Sequence, residues 1–363
     1  MLSFHTQGYA GYSVAYSPFF DSKIACATAA NFGLAGNGRL YVLDIGGDGV
    51  VRAQARFDTQ DGLFGLAWSE THENHITASS GDGSIRLFDI TSDRPFPLQL
   101  FQEHSREVYS INWNMVDKNL FCSASWDGTI KVWSPGSSAG SVLTLSSLRD
   151  TNLHKSSNLS PSGPQVPIVK SSNPLDPANA DRSHCVYAAK FSPHFPTQIA
   201  SAHSDSGIRL WDTRQGPQAS PPISIVDAHS GHECLTLDWN KYNNTIIASG
   251  GVDKCIKIWD TRNPRSPVNT IIGHELAVRS VSWSPHLSDI LLSTSYDTTA
   301  RVWQDTRLST VPYNPRVEPM KGLRHIFNQH SEFVIDCDWS LWGQVGWVAT
   351  VGWDEKLYIW NSS

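Results

Sequence analysis

Short runs such as SIRLF, TIKVW, GIRLW, CIKIW and KLYIW recur along the chain, apolar at alternate positions, charged or small between them, and closed by an aromatic. Alternation over so few residues, rich in Ile, Val and Trp, predicts half-buried β-strands and not helices. A turn Asp precedes each run at one fixed distance. Six segments, Asp82 to Phe88, Asp127 to Trp133, Asp205 to Trp211, Asp253 to Trp259, Asp297 to Trp303 and Asp354 to Trp360, all span six residues. A degenerate seventh runs from Asn37 to Leu43, with Asp44 completing its terminal dipeptide.

The aromatic anchors follow one another at 45, 45, 78, 48, 44 and 57 residues. That base period, with Trp-Asp dipeptides at Trp211 and Trp259, matches the WD40 repeat, in which each copy is one four-stranded blade. The predicted fold is all-β: a single seven-bladed WD40 β-propeller over residues 1–363. His104, His184, His232, His274 and His330 stand 29, 27, 27, 29 and 30 residues before their Trp, and Ser123, Ser201, Ser249, Ser293 and Thr350 fall four residues before the turn Asp. In the WD40 pattern that these match, His, Ser or Thr, Asp and Trp form one hydrogen-bonded chain tying a blade together, so five such tetrads are expected. A catalytic triad uses the same residue types, but a nucleophile needs one exposed site and not five equivalent buried copies.

The last copy supplies three strands, and the stretch Leu2 to Thr6 precedes the first inner strand around Tyr12 to Tyr16. Pairing it beside Leu357 to Trp360 closes the ring and removes open sheet edges. The two long anchor intervals hold insertions. After an outer strand at Ser141 to Leu145, residues 146–180 are rich in Ser, Pro and Asn with no period, which predicts a flexible loop on the face that carries the turn Asp and the His, here the top face. It reads as a tolerated insertion more readily than as a binding element. Residues 305–321, before an outer strand near Leu323 to Phe327, predict a smaller insertion on the bottom face.

Composition supports the strands: 14 Trp, 26 Gly and 20 Pro stand against only 3 Met. A net charge of -6, from 28 basic and 34 acidic residues, supplies no broad positive field for a phosphate backbone. Cys26, Cys122, Cys185, Cys234, Cys255 and Cys337 form no C-x-x-C pair and read as reduced core thiols. No run nears the roughly 18 apolar residues of a membrane span, and a soluble intracellular protein is expected. His72 and His75 make a lone H-x-x-H, and the glycines from Gly46 to Gly49 lack the Lys-Ser/Thr end of a phosphate loop. Neither metal, cofactor nor enzymatic activity is expected.

Residues just before the turn Asp lie outside the tetrads and should face solvent on top: Gly81, Trp126, Ser204, Val252, Tyr296 and Trp353. Three are large aromatics, candidate anchors on a rigid face. Asp61 in TQDGLF and Glu107 in SREVYS, at the start of inner strands on neighbouring blades, add acidic charge.

The first copy, GYSVAYSPFFDSKIACATAANFGLAGNGRLYVLD, departs from the WD40 consensus, and with DTQDGLFGLAWSE and EHSREVYSINW it resembles the WD40 peroxins, the import receptors for type-2 peroxisomal targeting signals. The resemblance runs through all seven copies, lapses in residues 146–180, and through that Ser/Pro-rich insertion points to a fungal member. It implies a cytosolic receptor that binds the N-terminal signal of cargo such as peroxisomal thiolase, acts with a co-receptor peroxin and docking peroxins, and cycles to the peroxisome. The family's signal has a basic residue, an aliphatic one, five variable positions, then His or Gln followed by Leu or Ala. On a helix its defined positions fall along one side, presenting a charge beside an apolar stripe. Asp61 and Glu107 are then the expected partners of the basic residue, with Tyr109, Trp126, Tyr296 and Trp353 flanking the stripe. The repeat alone equally permits a histone-binding or ubiquitin-ligase substrate-recognition propeller, and, third, a hydrolase.

Overall fold

The computed structural model describes residues 1–92, 94–137, 140–146, 184–216, 220–306 and 319–362. They form seven antiparallel sheets of four strands. The first blade is β2 (Ala10–Tyr16), β3 (Lys23–Ala29), β4 (Gly38–Ile45) and β5 (Val51–Thr59), and the other blades repeat that order. The last holds the strands Val334–Trp339, Trp347–Gly352 and Lys356–Asn361 and, as its outer strand, β1 (Leu2–His5). The register Leu2↔Ile359 to His5↔Lys356 makes the predicted closure, and the Gly8 amide adds a bond to the Glu355 carboxylate at 2.7 Å.

Blades pack face to face, so the core is divided among their interfaces. One cluster joins Leu40 and Phe57 of the first blade to Trp68 and Phe88 of the second, another joins Phe121 and Trp133 of the third to Ile85 and Phe101 of the second, and this continues around the ring. The closing cluster sets Leu357 and Ile359 of the last blade against Val14 and Tyr41 of the first, with Leu2 and Phe4 packed upon it. Middle strands are consequently covered on both sides: Phe121–Ser125 is buried at every position. The expected alternation survives best at the outer strands, such as Leu323–Phe327, which keep one face in water.

The predicted outer strands are found at Leu143–Ser146 and Leu323–Phe327. Beyond Ser146, the 146–180 insertion lies outside the described residues, as does most of 305–321. Asp305 itself is buried and accepts a bond from the Asn269 amide at 2.8 Å. Among the described residues, which include all six cysteines, there is no disulfide, and all of the six but Cys255 are buried. Among the described residues, no helix is long and apolar enough to cross a membrane.

Candidate functional site

Three tetrads have the expected members. In the third blade the His104 Nδ1–H donates to Asp127 at 2.8 Å, the Ser123 hydroxyl donates to His104 Nε2 at 2.8 Å, and the Trp133 indole donates to Ser123 at 2.8 Å. His274, Ser293, Asp297 and Trp303 repeat this, as do His330, Thr350, Asp354 and Trp360. Burial works against the Asp127 carboxylate, but its bonds from His104 and Thr129 outweigh that and hold it down at about 2. The tetrad thus carries an ionised acid beside a fixed imidazole, and its serine is buried. It staples strands and offers no exposed nucleophile.

Two predicted histidines are corrected. In the fifth blade His229, not His232, bonds to Asp253 and Ser249, both at 2.8 Å, with Trp259 closing the chain, while His232 is exposed. His229 stands 30 residues before Trp259, inside the spacing of the three regular blades, and His232 at 27 does not. In the fourth blade His184 is half-buried and outside the network. Ser201 instead bonds to His203 at 2.6 Å on its own strand, and Asp205 pairs with Arg209. Burial and the Arg209 charge lower His203 to about 3, so it stays neutral in the core.

Above these staples, the inner strand of each blade carries an irregularity that the sequence reading missed. Every inner strand shifts register at its second or third residue. The bulged residues are Tyr12, Phe64, Tyr109, Tyr187, Leu235, Arg279 and Ile335, and all line the central channel, a cavity of about 300 Å³. A bulge re-aims one side chain without ending the strand, so seven equivalent bulges build one ring of side chains at the channel mouth.

The residue before the turn Asp packs onto that ring. Its amide is clamped to the start of the inner strand, Trp126 N to Glu107 O at 3.0 Å and Trp353 N to Phe333 O at 2.9 Å. Trp126, Tyr296 and Trp353 are therefore half-buried, not free in solvent. Trp126 stacks on Tyr109 at 4.6 Å, and Tyr109 on Phe64 at 4.6 Å, all nearly parallel. Phe64 meets Tyr12 at 4.9 Å, Tyr12 meets Trp353 at 6.0 Å, and Phe333 links Trp353 to Tyr296. Trp126 also meets Tyr187 edge-on at 6.1 Å, so one aromatic arc runs through the fourth, third, second, first, seventh and sixth blades.

Phe32 extends the arc. It is half exposed, 5.4 Å from Trp353, in a loop where Asn31 and Phe32 both adopt left-handed backbone. Such strain in two side-chain-bearing residues persists only when surroundings enforce it. Here the Tyr12 hydroxyl donates to the Phe32 carbonyl, and burial with the neighbouring Tyr109 pushes that phenol up, keeping its proton.

Asp61 and Glu107 are both half-buried; Asp61 lies beside the Phe64 ring across Gly81, and Glu107 lies beside Trp126, whose amide its carbonyl accepts. Asp61 accepts the Gly62 amide at 2.7 Å and has no cationic partner among the described residues. Glu107 lies 3.5 Å from Arg106, which also covers the Trp126 ring at 5.7 Å, so its charge is partly neutralised within the chain. Glu233 and Phe333 occupy the position of Glu107 in their own blades, each carbonyl accepting the amide before the turn Asp. Counting back from the inner strands would have found both. His72 and His75 stack at 3.7 Å at a bottom loop, and no group of three or more potential metal ligands occurs among the described residues.

The family model for the WD domain, G-beta repeat, matches residues 96–134, 178–212, 220–260, 265–304 and 321–361. A protein of Komagataella phaffii named peroxisomal targeting signal 2 receptor is 49% identical, across 100% of this chain and 99% of its own length. The Saccharomyces cerevisiae protein of the same name is 41% identical across 99% of each chain, and that of Schizosaccharomyces pombe 32% across 100% of each.

Proposed function

Because the chain belongs to the peroxisomal targeting signal 2 receptor family, whose members are built from WD40 repeats, we propose that its top face binds the type-2 signal of peroxisomal cargo as an amphipathic helix. The family is one of targeting receptors and not an enzyme class. One observation carries the reading: a continuous arc of packed aromatic rings passes beside two half-buried carboxylates, one of them with no cationic partner among the described residues. A helix with an apolar stripe and a basic residue at its start matches both features at once. Tyr109, Trp126, Tyr296 and Trp353 face the stripe, joined by Phe64, Tyr12 and Phe32. Asp61 takes the basic side chain more strongly than Glu107, which Arg106 already engages. The receptor works in the cytosol, hands cargo such as thiolase to docking peroxins at the organelle, and is assisted by a co-receptor peroxin that covers the exposed side of the helix. Covering excludes water and strengthens the charge pair.

The test is the affinity of a fluorescent type-2 signal peptide by anisotropy. An exposed ion pair contributes about 0.2 to 1 kcal/mol, so Asp61→Asn should weaken binding up to about fivefold and Glu107→Gln less, both without unfolding the propeller. Asp61→Lys combined with an acidic residue at the first signal position should recover part of the loss. Full-strength binding by the Asp61→Asn, Glu107→Gln double variant would remove this pole from the site.

A further inference from the structure

Six of the seven bulge residues around the channel mouth are aromatic or aliphatic, and the exception is Arg279. It projects from the sixth blade, yet its guanidinium lies 5.7 Å from the ring centroid of Tyr109 in the third blade. The side chain therefore reaches across the mouth to the third-blade part of the aromatic arc. Its charge also acts on the Tyr12 hydroxyl, in the first blade.

Among the described residues, this half-buried guanidinium has no hydrogen-bond or ion-pair acceptor. The nearby channel carboxylate is engaged elsewhere: Asp336 Oδ1 accepts the Ser280 hydroxyl at 2.8 Å, and Oδ2 accepts the Ser13 hydroxyl at 2.8 Å and the Val14 amide at 3.1 Å. Arg279 has five N–H donors in a planar fork shaped for a carboxylate. A single ring at 5.7 Å uses none of them as hydrogen bonds. The fold thus holds a cation with unused donors beside the aromatic arc, which also carries the acidic pair.

Resting on the functional reading above, we propose that Arg279 takes a carboxylate side chain presented by the docked targeting helix. The top face then reads two charges of opposite sign: a basic residue at the Asp61 and Glu107 rim, and an acidic residue over the channel mouth. Arg279 becomes a specificity residue for the variable positions of the signal, which the basic and apolar contacts leave unread. It also fixes helix direction, since a reversed helix would bring its basic residue toward Arg279 and its acid toward Asp61.

The experiment scans one Glu, and separately one Gln, through each variable position of a labelled type-2 signal peptide, and measures anisotropy with the wild type, Arg279→Gln and Asp61→Asn. At one position or at neighbours one turn apart, Glu should bind the wild type about fivefold more tightly than Gln. Arg279→Gln should abolish that preference with unchanged thermal unfolding, and Arg279→Glu should favour Lys at the same position. Asp61→Asn should weaken Glu and Gln peptides alike, leaving the preference intact. A Glu-to-Gln ratio equal in wild type and Arg279→Gln at every position overturns the proposal while leaving the receptor reading standing. The same holds if Arg279→Gln matters only once a co-receptor is added, since the carboxylate would then belong to that partner. Failure of every peptide to bind the wild type overturns both.

Discussion

His229 and His232 are three residues apart, and only one is structural. The difference is spacing: a tetrad histidine must reach Asp and Ser across a fixed loop, so a displacement of three residues moves its ring off the network. His229→Ala should leave Ser249 and Asp253 short of a partner in a buried site, costing about 1 to 3 kcal/mol, whereas His232→Ala at an exposed position should change stability by less than about 0.5 kcal/mol. Thermal melting of the two variants side by side checks this, and equal losses would refute the assignment. The other tetrad members were legible because Ser, Asp and Trp are bound to one hairpin, where strand register fixes their separation. The histidine lies outside that hairpin, in the loop before the inner strand, and in the fourth blade neither the position 29 nor that 30 residues before Trp211 is a histidine, while Ser201 bonds to His203 from within the sheet. Asp61 and Glu107 were legible as charges, but the partial neutralisation of Glu107 by Arg106 was not, because it depends on a side-chain conformation over Trp126.

Strands of a propeller blade are read from sequence as alternating, yet the middle ones are buried on both faces. Stacking of neighbouring blades explains this, since each sheet serves as the lid of the next. The bulges are hidden for another reason: each adds one residue near the start of an inner strand, and because every blade has one the repeat spacing is unchanged, so Tyr12, Phe64 and Tyr187 do not stand out in the sequence as Trp126 and Trp353 do. The outer strand of the last blade was legible because three strands at one end of the sequence and an orphan at the other have one economical pairing. Its contribution is large for four residues, since β1 carries ladder bonds and sets Leu2 and Phe4 into the closing core. Deleting Met1 to Gly8 should lower the melting temperature by several degrees and sharpen susceptibility to proteolysis at the first and last blades. An unchanged melting curve and cleavage pattern would mean that closure does not depend on this strand.

At the scale of the whole molecule, the ring has two faces of different character. The top gathers the aromatic arc, Asp61, Glu107 and Arg279 around the channel mouth. The bottom exposes scattered apolar residues on its hairpin loops, among them Phe195, Tyr242 and Leu287. The repeat fixed which loops share a face, because Asp and His must meet, and so made the top legible without coordinates. How the seven blades converge was not legible, since contacts between blades join residues far apart in sequence. The most direct measurement is photo-cross-linking with a type-2 signal peptide that carries a benzophenone side chain in place of its aliphatic residue, with the adducts mapped by mass spectrometry. Adducts should fall on Phe64, Tyr109, Trp126 or Trp353 and disappear with excess unlabelled peptide. Competable adducts confined to Phe195, Tyr242, Leu287 and their neighbours would move the binding site to the opposite face and refute recognition by the aromatic arc.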